Sequence, residues 1–231
     1  MDTMRADARQ LTGVPADWST LVGSWVNSNP STEYITRVEI AEPTRITCHG
    51  MNDWGTVTAT PYVASGTTTV AGFHARYVFG NIRTELAANE KFGILVIQSY
   101  TSFTDGRLGH YSREFFHRAD AQDCSSPDSS TQGCWVNSNP ATEWITGFTL
   151  DGSTLRVTAA NDPTDWGTTE ATLYMDNLGE PAFHAVHDLG AFSATLAANT
   201  NKGLTIIAAF LDFKGKRENH LCREFYFRPS G

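Results

Sequence analysis

Basic residues are scarce: 17 Lys and Arg stand against 25 Asp and Glu, a formal charge of −8 with a pI near 5.3. Phosphate binding needs clustered Lys and Arg, so a nucleic-acid partner is not expected, and anionic membrane surfaces are disfavoured too. No apolar run approaches the roughly 20 residues that span a bilayer. The start, MDTMRADARQLTG, lacks the apolar stretch of a secretory signal, so a cytoplasmic protein is expected. Cysteine is limited to Cys48, Cys124, Cys134 and Cys222, with no C-x-x-C spacing. The four read as free thiols, although Cys124 and Cys134 flank a Ser-rich stretch and could close a loop.

Catalytic signatures are also missing. G-x-S-x-G, H-E-x-x-H, a phosphate-cradling glycine loop and the dinucleotide fingerprint do not occur, which argues against nucleophile-elbow hydrolases and nucleotide enzymes. No cofactor is expected. A metal site needs three or four convergent ligands; His74, His110 and Asp53 are a conceivable set whose spacing specifies nothing, so no metal is expected.

What the chain does contain is itself, twice. WVNSNPSTEYIT, starting at Trp25, returns as WVNSNPATEWIT, starting at Trp135. DWGTVTATPY at Asp53 returns as DWGTTEATLY at Asp165, LAAN at Leu86 returns at Leu196, and REFFHR at Arg113 returns as REFYFR at Arg223. The order is kept throughout, so this is a tandem duplication of a long unit. Two such units do not make a solenoid, whose repeats run to roughly 20–50 residues. The reading is an N-terminal extension over 1–20 with a short helical turn after Pro15, a first unit over 21–118, a linker over 119–132 and a second unit over 133–231.

Inside each unit Thr, Val, Ile, Tyr and Phe dominate, broken at short intervals by Gly, Asn, Asp and Pro. The strands expected in the first unit are 23–27, 33–40, 45–49, 55–63, 72–79, 82–88, 93–103 and 109–118. Phe73, Ala75, Tyr77 and Phe79 take one face of their strand, and His74 and Arg76 the other. Eight short strands with short connections close most simply as a meander, which removes exposed edges. The fold class expected is all-β: two tandem eight-stranded antiparallel up-and-down barrels.

Gly23-Ser24-Trp25, repeated as Gly133-Cys134-Trp135, ahead of an eight-strand meander resembles the calycin group of lipocalins and avidins. The resemblance implies that a late Arg crosses the Trp at the barrel floor; Arg113 or Arg118, and Arg223 or Arg228, stand in the right region. It extends toward avidin-like proteins, in which an Asn and a Ser after this Trp contact a ring-shaped ligand. Asn27 and Ser31 fall at those positions; the second unit keeps Asn137 but has Ala141 for the Ser. The avidin aromatic cage has no evident counterpart, which argues against biotin.

Polar residues kept in both units are the candidate site residues, because folding rarely needs one particular polar side chain. Asn27 and Asn137 open Asn-Ser-Asn-Pro turns, with Glu33 and Glu143 close behind; these groups either shape a turn or face a ligand at the barrel mouth. Asp53-Trp54-Gly55 and Asp165-Trp166-Gly167 read as a turn Asp, a core or rim Trp and a bulge Gly, or as a ring platform with a hydroxyl-binding carboxylate. His74 and His184, and His110 and His220 with Glu114 and Glu224 on the same strand face, are the candidate acid–base groups. The copies diverge at Arg76, Tyr77 and Val78, which become Val186, His187 and Asp188, as expected if one barrel holds a ligand and the other is structural.

The function expected is binding of a small, partly apolar or heterocyclic molecule in a barrel mouth or lumen. The alternatives are a cofactor-free cyclase or isomerase working by acid–base chemistry in one barrel, and a tandem lectin with two equal sites. The partner expected is a small molecule, and the protein could assemble with itself.

Overall fold

The computed structural model describes residues 8–9, 15–64, 67–119, 131–175 and 179–229. It divides into two compact units, Met1–Asp120 and Ala121–Gly231. Among the described residues there is no helix, and none therefore long and apolar enough to cross a membrane. The extension expected over 1–20 and the linker over 119–132 fall largely outside the described residues. Where Pro15 was expected to start a helical turn, the chain makes a single hydrogen-bonded turn: the Trp18 carbonyl accepts from the amides of Leu21 and Val22.

The first unit runs β1 (Ala8–Arg9), β2 (Gly23–Asn27), β3 (Ile35–Ala41), β4 (Arg45–Gly50), β5 (Asp53–Thr58), β6 (Thr60–Ala64), β7 (Val70–Phe79), β8 (Ile82–Lys91), β9 (Ile94–Phe103) and β10 (His110–Arg118). They form one antiparallel sheet in the order β1-β6-β7-β8-β9-β10-β2-β3-β4-β5. The sheet curls back on itself, since β5 and β6 are the two halves of one bent segment hinged at Ala59. The Ala59 amide still bonds the Thr44 carbonyl at 2.7 Å. Pro61 follows at once, and a proline cannot donate to a ladder.

The second unit runs β11 (Gly133–Asn137), β12 (Ile145–Asp151), β13 (Thr154–Ala159), β14 (Asp165–Met175), β15 (Pro181–Asp188), β16 (Phe192–Asn201), β17 (Leu204–Phe213) and β18 (His220–Phe227), a closed barrel in sequence order. Here Leu173 stands where the first copy has Pro61, and β14 runs unbroken. The architecture is that of two tandem antiparallel barrels, one closed and one nearly so.

Alternation in each strand sends one set of side chains inward. Trp25, Val38, Ile46, Phe73, Leu86 and Ile97 lie in the first core; Trp135, Phe148, Leu155, Phe183, Leu196 and Ile207 lie in the second. The Trp at each floor is fixed twice. Trp25 Nε1 donates to the Leu21 carbonyl at 2.8 Å, and the Arg118 guanidinium lies 4.1 Å from its ring centre. Trp135 Nε1 donates to the Thr131 carbonyl at 3.0 Å, with Arg228 4.8 Å above it. Arg118 also donates to the carbonyls of Val22 and Thr20, tying the last strand to the segment before the first.

One sequence expectation is corrected. Cys48 and Cys222 are free thiols, but Cys134 is disulfide-bonded; Cys124 lies outside the described residues. Comparing the copies hid this, because the counterpart of Cys134 is Ser24, and a disulfide in one copy needs no match in the other.

Candidate functional site

The Asn-Ser-Asn-Pro turns face inward for a structural reason. Asn27 and Asn137 are the last residues of β2 and β11, on the same side as Trp25 and Trp135. Asn27 Nδ2 donates to the Ile35 carbonyl at 2.7 Å and to Glu114 at 3.0 Å, while its Oδ1 accepts the Asn29 amide at 2.9 Å. The second copy repeats these bonds through Asn137, the Ile145 carbonyl, Glu224 and the Asn139 amide. Each Asn is buried and its amide saturated. Glu114 and Glu224 thus tie the last strand of each barrel to the first turn; Thr142 and the Tyr226 hydroxyl add bonds to Glu224.

The His candidates separate from those carboxylates. His110 packs its ring against Phe103 and Tyr34, and His220 stacks on Trp144 at 5.1 Å; both are exposed and hydrogen-bond to neither Glu. His74 stands on the outer face of β7, its Nε2 2.7 Å from Glu85, a carboxylate also held by Arg76 and Arg83. His184 is exposed on the outer face of β15, where Thr195 stands in place of Glu85. Asp53 and Asp165 are turn residues, their Oδ1 atoms accepting the amides of Gly55 and Gly167 at 3.0 and 2.9 Å. Both glycines sit at φ +72°, and the ladder slips register opposite each turn. This bulge swings Trp54 and Trp166 inward. Arg76 is exposed and outside; Glu33 is exposed beyond the first turn. Among the described residues no group of three His, Cys, Asp or Glu side chains gathers to hold a metal ion.

The structure brings together Trp54 with Tyr77, and Trp166 with His187. In the first barrel Trp54 is boxed by Tyr34, Tyr77 and Phe79 at 5.0, 5.4 and 5.6 Å. The Tyr77 hydroxyl donates to the Ile46 carbonyl at 2.9 Å, and Thr101 is hydrogen-bonded to both Thr84 and Tyr34. These rings and hydrogen bonds pack this end of the first barrel against Trp54.

The second barrel keeps the Trp as Trp166 and has Trp144 for Tyr34, but changes the other neighbours. Tyr77 becomes His187, Phe79 becomes Leu189, Thr84 becomes Ala194 and Thr101 becomes Leu211. His187 is buried beside Trp166, ring centres 5.8 Å apart, with a bond to the Trp166 backbone and, among the described residues, no partner for Nε2. Burial pushes its pKa below the ordinary histidine value, so it is neutral at pH 7.

Trp166 forms one wall of an open cavity of about 120 Å³. Trp144, Phe192 and Phe213 complete the aromatic lining, and Glu143, Asp162 and Arg217 stand at its edge. Trp166 and Phe192 are buried, while the three charged residues are exposed, so the floor is apolar and the rim charged. Arg217 lies 4.0 Å from the Phe213 ring centre and 5.7 Å from that of Trp144.

A larger hollow of about 360 Å³ lies outside the first barrel, along Tyr62, Gly72, His74, Ala87 and Asn89. It has no convergent charged groups. Ligand sites combine an apolar lining with a few placed polar groups, which favours the smaller cavity.

No protein-family model matches the chain, and no curated protein matches it.

Sequence reasoning missed Trp144, Asp162, Phe192 and Phe213, and counted Arg217 only as one of the polar residues kept in both units, the counterpart of Arg107. Trp144 could have been found, since it matches Tyr34 inside the repeated string that opens each unit. Phe192 and Phe213 read as ordinary inward strand residues, and only barrel closure puts them around one space.

Proposed function

We propose that this protein binds a small molecule with one apolar ring at the open end of its second barrel, and that the first barrel is structural. One observation carries the proposal: the aromatic-floored cavity with Glu143, Asp162 and Arg217 at its rim. Its size decides how much ligand it holds. A buried cavity of ~150 Å³ accepts benzene, so about 120 Å³ with an open side takes one ring, and the rest of the ligand projects from the rim. The first barrel offers Tyr77 and Phe79 where the second has the smaller His187 and Leu189.

A calycin-like origin is part of the same reading. Its support is the opening Gly-x-Trp of each unit and the guanidinium of Arg118 or Arg228 lying over that Trp. A nucleic-acid or acidic-lipid partner is disfavoured by the charge of −8. The disulfide at Cys134 favours an oxidising compartment over the cytoplasm, where thiol pools keep such bonds reduced.

The test is retention. The full chain is incubated with a small-molecule extract, repurified and analysed by mass spectrometry, beside the Trp166→Ala variant. A ring compound held unchanged by the parent and lost from the variant is the expected result. A compound consumed while a new mass appears would make the protein an enzyme and sink the proposal.

A further inference from the structure

We infer that the ligand carries an ammonium and a carboxylate on one apolar ring compound, the chemistry of a free α-amino acid with an aromatic side chain. The inference rests on the ring-binding reading above and adds the charge of the ligand.

The argument begins from a difference between the copies. In the first barrel the rim arginine, Arg107, is neutralised: Asp105 accepts from its Nε at 3.0 Å and pairs with its Nη2 at 2.9 Å. In the second barrel Gly215 stands where Asp105 does. Arg217 keeps the same ring contact, 4.0 Å from Phe213 as Arg107 is from Phe103, but among the described residues it makes no ion pair. The substitution leaves the arginine positioned and removes its counter-charge. A guanidinium seated over a ring still presents its N–H donors in a planar fork, which suits a carboxylate.

Two carboxylates share that rim. Among the described residues neither the Glu143 nor the Asp162 side chain has a hydrogen bond or an ion pair; only the Glu143 backbone carbonyl is bonded, by Asn161 at 2.8 Å. Carboxylates accept and cannot donate; a guanidinium donates and cannot accept. A ligand bearing only an anion meets Arg217 but is opposed by Glu143 and Asp162. One bearing only a cation meets the carboxylates but is opposed by Arg217, which already covers the faces of Phe213 and Trp144. A ligand with both charges engages all three groups. Its uncharged end goes to the floor, because the walls there are Trp166 and Phe192 and a hydroxyl would find few partners. The single-ring volume makes the probe phenylalanine rather than a two-ring compound.

The experiment is calorimetric titration of the full chain at low ionic strength with four probes: L-phenylalanine, phenethylamine, 3-phenylpropanoate and glucose. L-phenylalanine is expected to bind roughly tenfold or more tighter than either singly charged probe. Arg217→Gln should abolish its advantage over phenethylamine, and Glu143→Gln with Asp162→Asn its advantage over 3-phenylpropanoate. All three side chains are exposed, the two carboxylate changes are near-isosteric, and a circular dichroism melt checks that each variant folds, the shortened Arg217→Gln above all. Equal binding of all ring probes, tightest binding of a singly charged one, or preference for glucose overturns the inference while leaving ring or small-molecule binding standing. Ring-probe binding insensitive to Trp166→Ala overturns the site itself, and no binding by any probe overturns both readings.

Discussion

At the residue scale, the twice-kept polar residues divide into those that hold the barrel together and those that face solvent. Asn27 and Asn137 are the clearest case of the first kind, because each uses its amide internally, bonding a carboxylate that is buried in Glu114 and half-buried in Glu224. Replacing Asn137 by Ala removes a hydrogen bond from Glu224, from the Ile145 carbonyl and from the Asn139 amide, at a cost of roughly 1–3 kcal/mol. A urea midpoint that does not move would refute this structural role. The floor tryptophans should cost more: Trp25→Ala empties a buried ring site and removes the partner of Arg118, for about 3–5 kcal/mol in the same measurement. The thiols give a chemical check. Burial pushes Cys48 up to about 12 and Cys222 up to about 11, so little thiolate exists at neutral pH. Both should resist a thiol reagent in the native state and react at once in denaturant, whereas Cys134 should label only after reduction. Rapid native labelling of Cys48 would contradict its placement.

At the scale of elements, Asp-Trp-Gly is a device for aiming a ring. The Asp closes a turn onto the Gly amide, the Gly takes a left-handed φ, and the resulting bulge points the Trp into the barrel end. Of the two readings open from sequence, turn and bulge describe Asp53 and Gly55, while the Trp serves as inward wall. Gly167→Ala meets no steric obstacle, since nothing lies within 4 Å of an added Cβ. Its expected cost is therefore the conformational one alone, about 1–2 kcal/mol, read as a lowered melting temperature. Gly147 is a different case: an added Cβ would lie 2.7 Å from the Trp135 carbonyl oxygen, so Gly147→Ala should be the worse of the pair. The reverse order would show that the bulge geometry is misassigned. The strand boundaries were readable to within a few residues because alternation and turn residues are local signals. The break at Ala59 was not, since it depends on which ladder Pro61 would have had to join.

At the scale of the whole molecule, stability should depend on pH in a defined window. Burial lowers the pKa of His117 in the first unit and of His187 in the second. In the unfolded chain both titrate near the usual value of about 6.5. The unfolded state therefore binds more protons as the pH falls through that value, and stability present above it is lost. Glu85, Asp165 and Asp188 have lowered values and lose their contribution only below the unfolded carboxylate range near 4. A melting temperature that drops between about pH 7 and 5, before the carboxylates matter, is the expected result. His187→Tyr should shrink that drop by restoring the residue of the first copy; a pH profile unchanged by it would show that His187 carries none of the effect.

The sequence alone determined what is written in local pattern and in repetition: all-β character, two copies, the strand set, and Asn-Ser-Asn-Pro and Asp-Trp-Gly as turn formers. These follow from alternation, dihedral preference and short-range hydrogen bonding, which need no knowledge of distant residues. Only the tertiary structure decided that Glu114 serves Asn27 and not His110, that Arg118 rather than Arg113 covers Trp25, and that Trp144, Trp166, Phe192, Phe213 and Arg217 surround one space. Each of those pairings joins residues far apart in the chain. Barrel closure and register bring them together, and a slip of one residue would have sent every one of them to the opposite face.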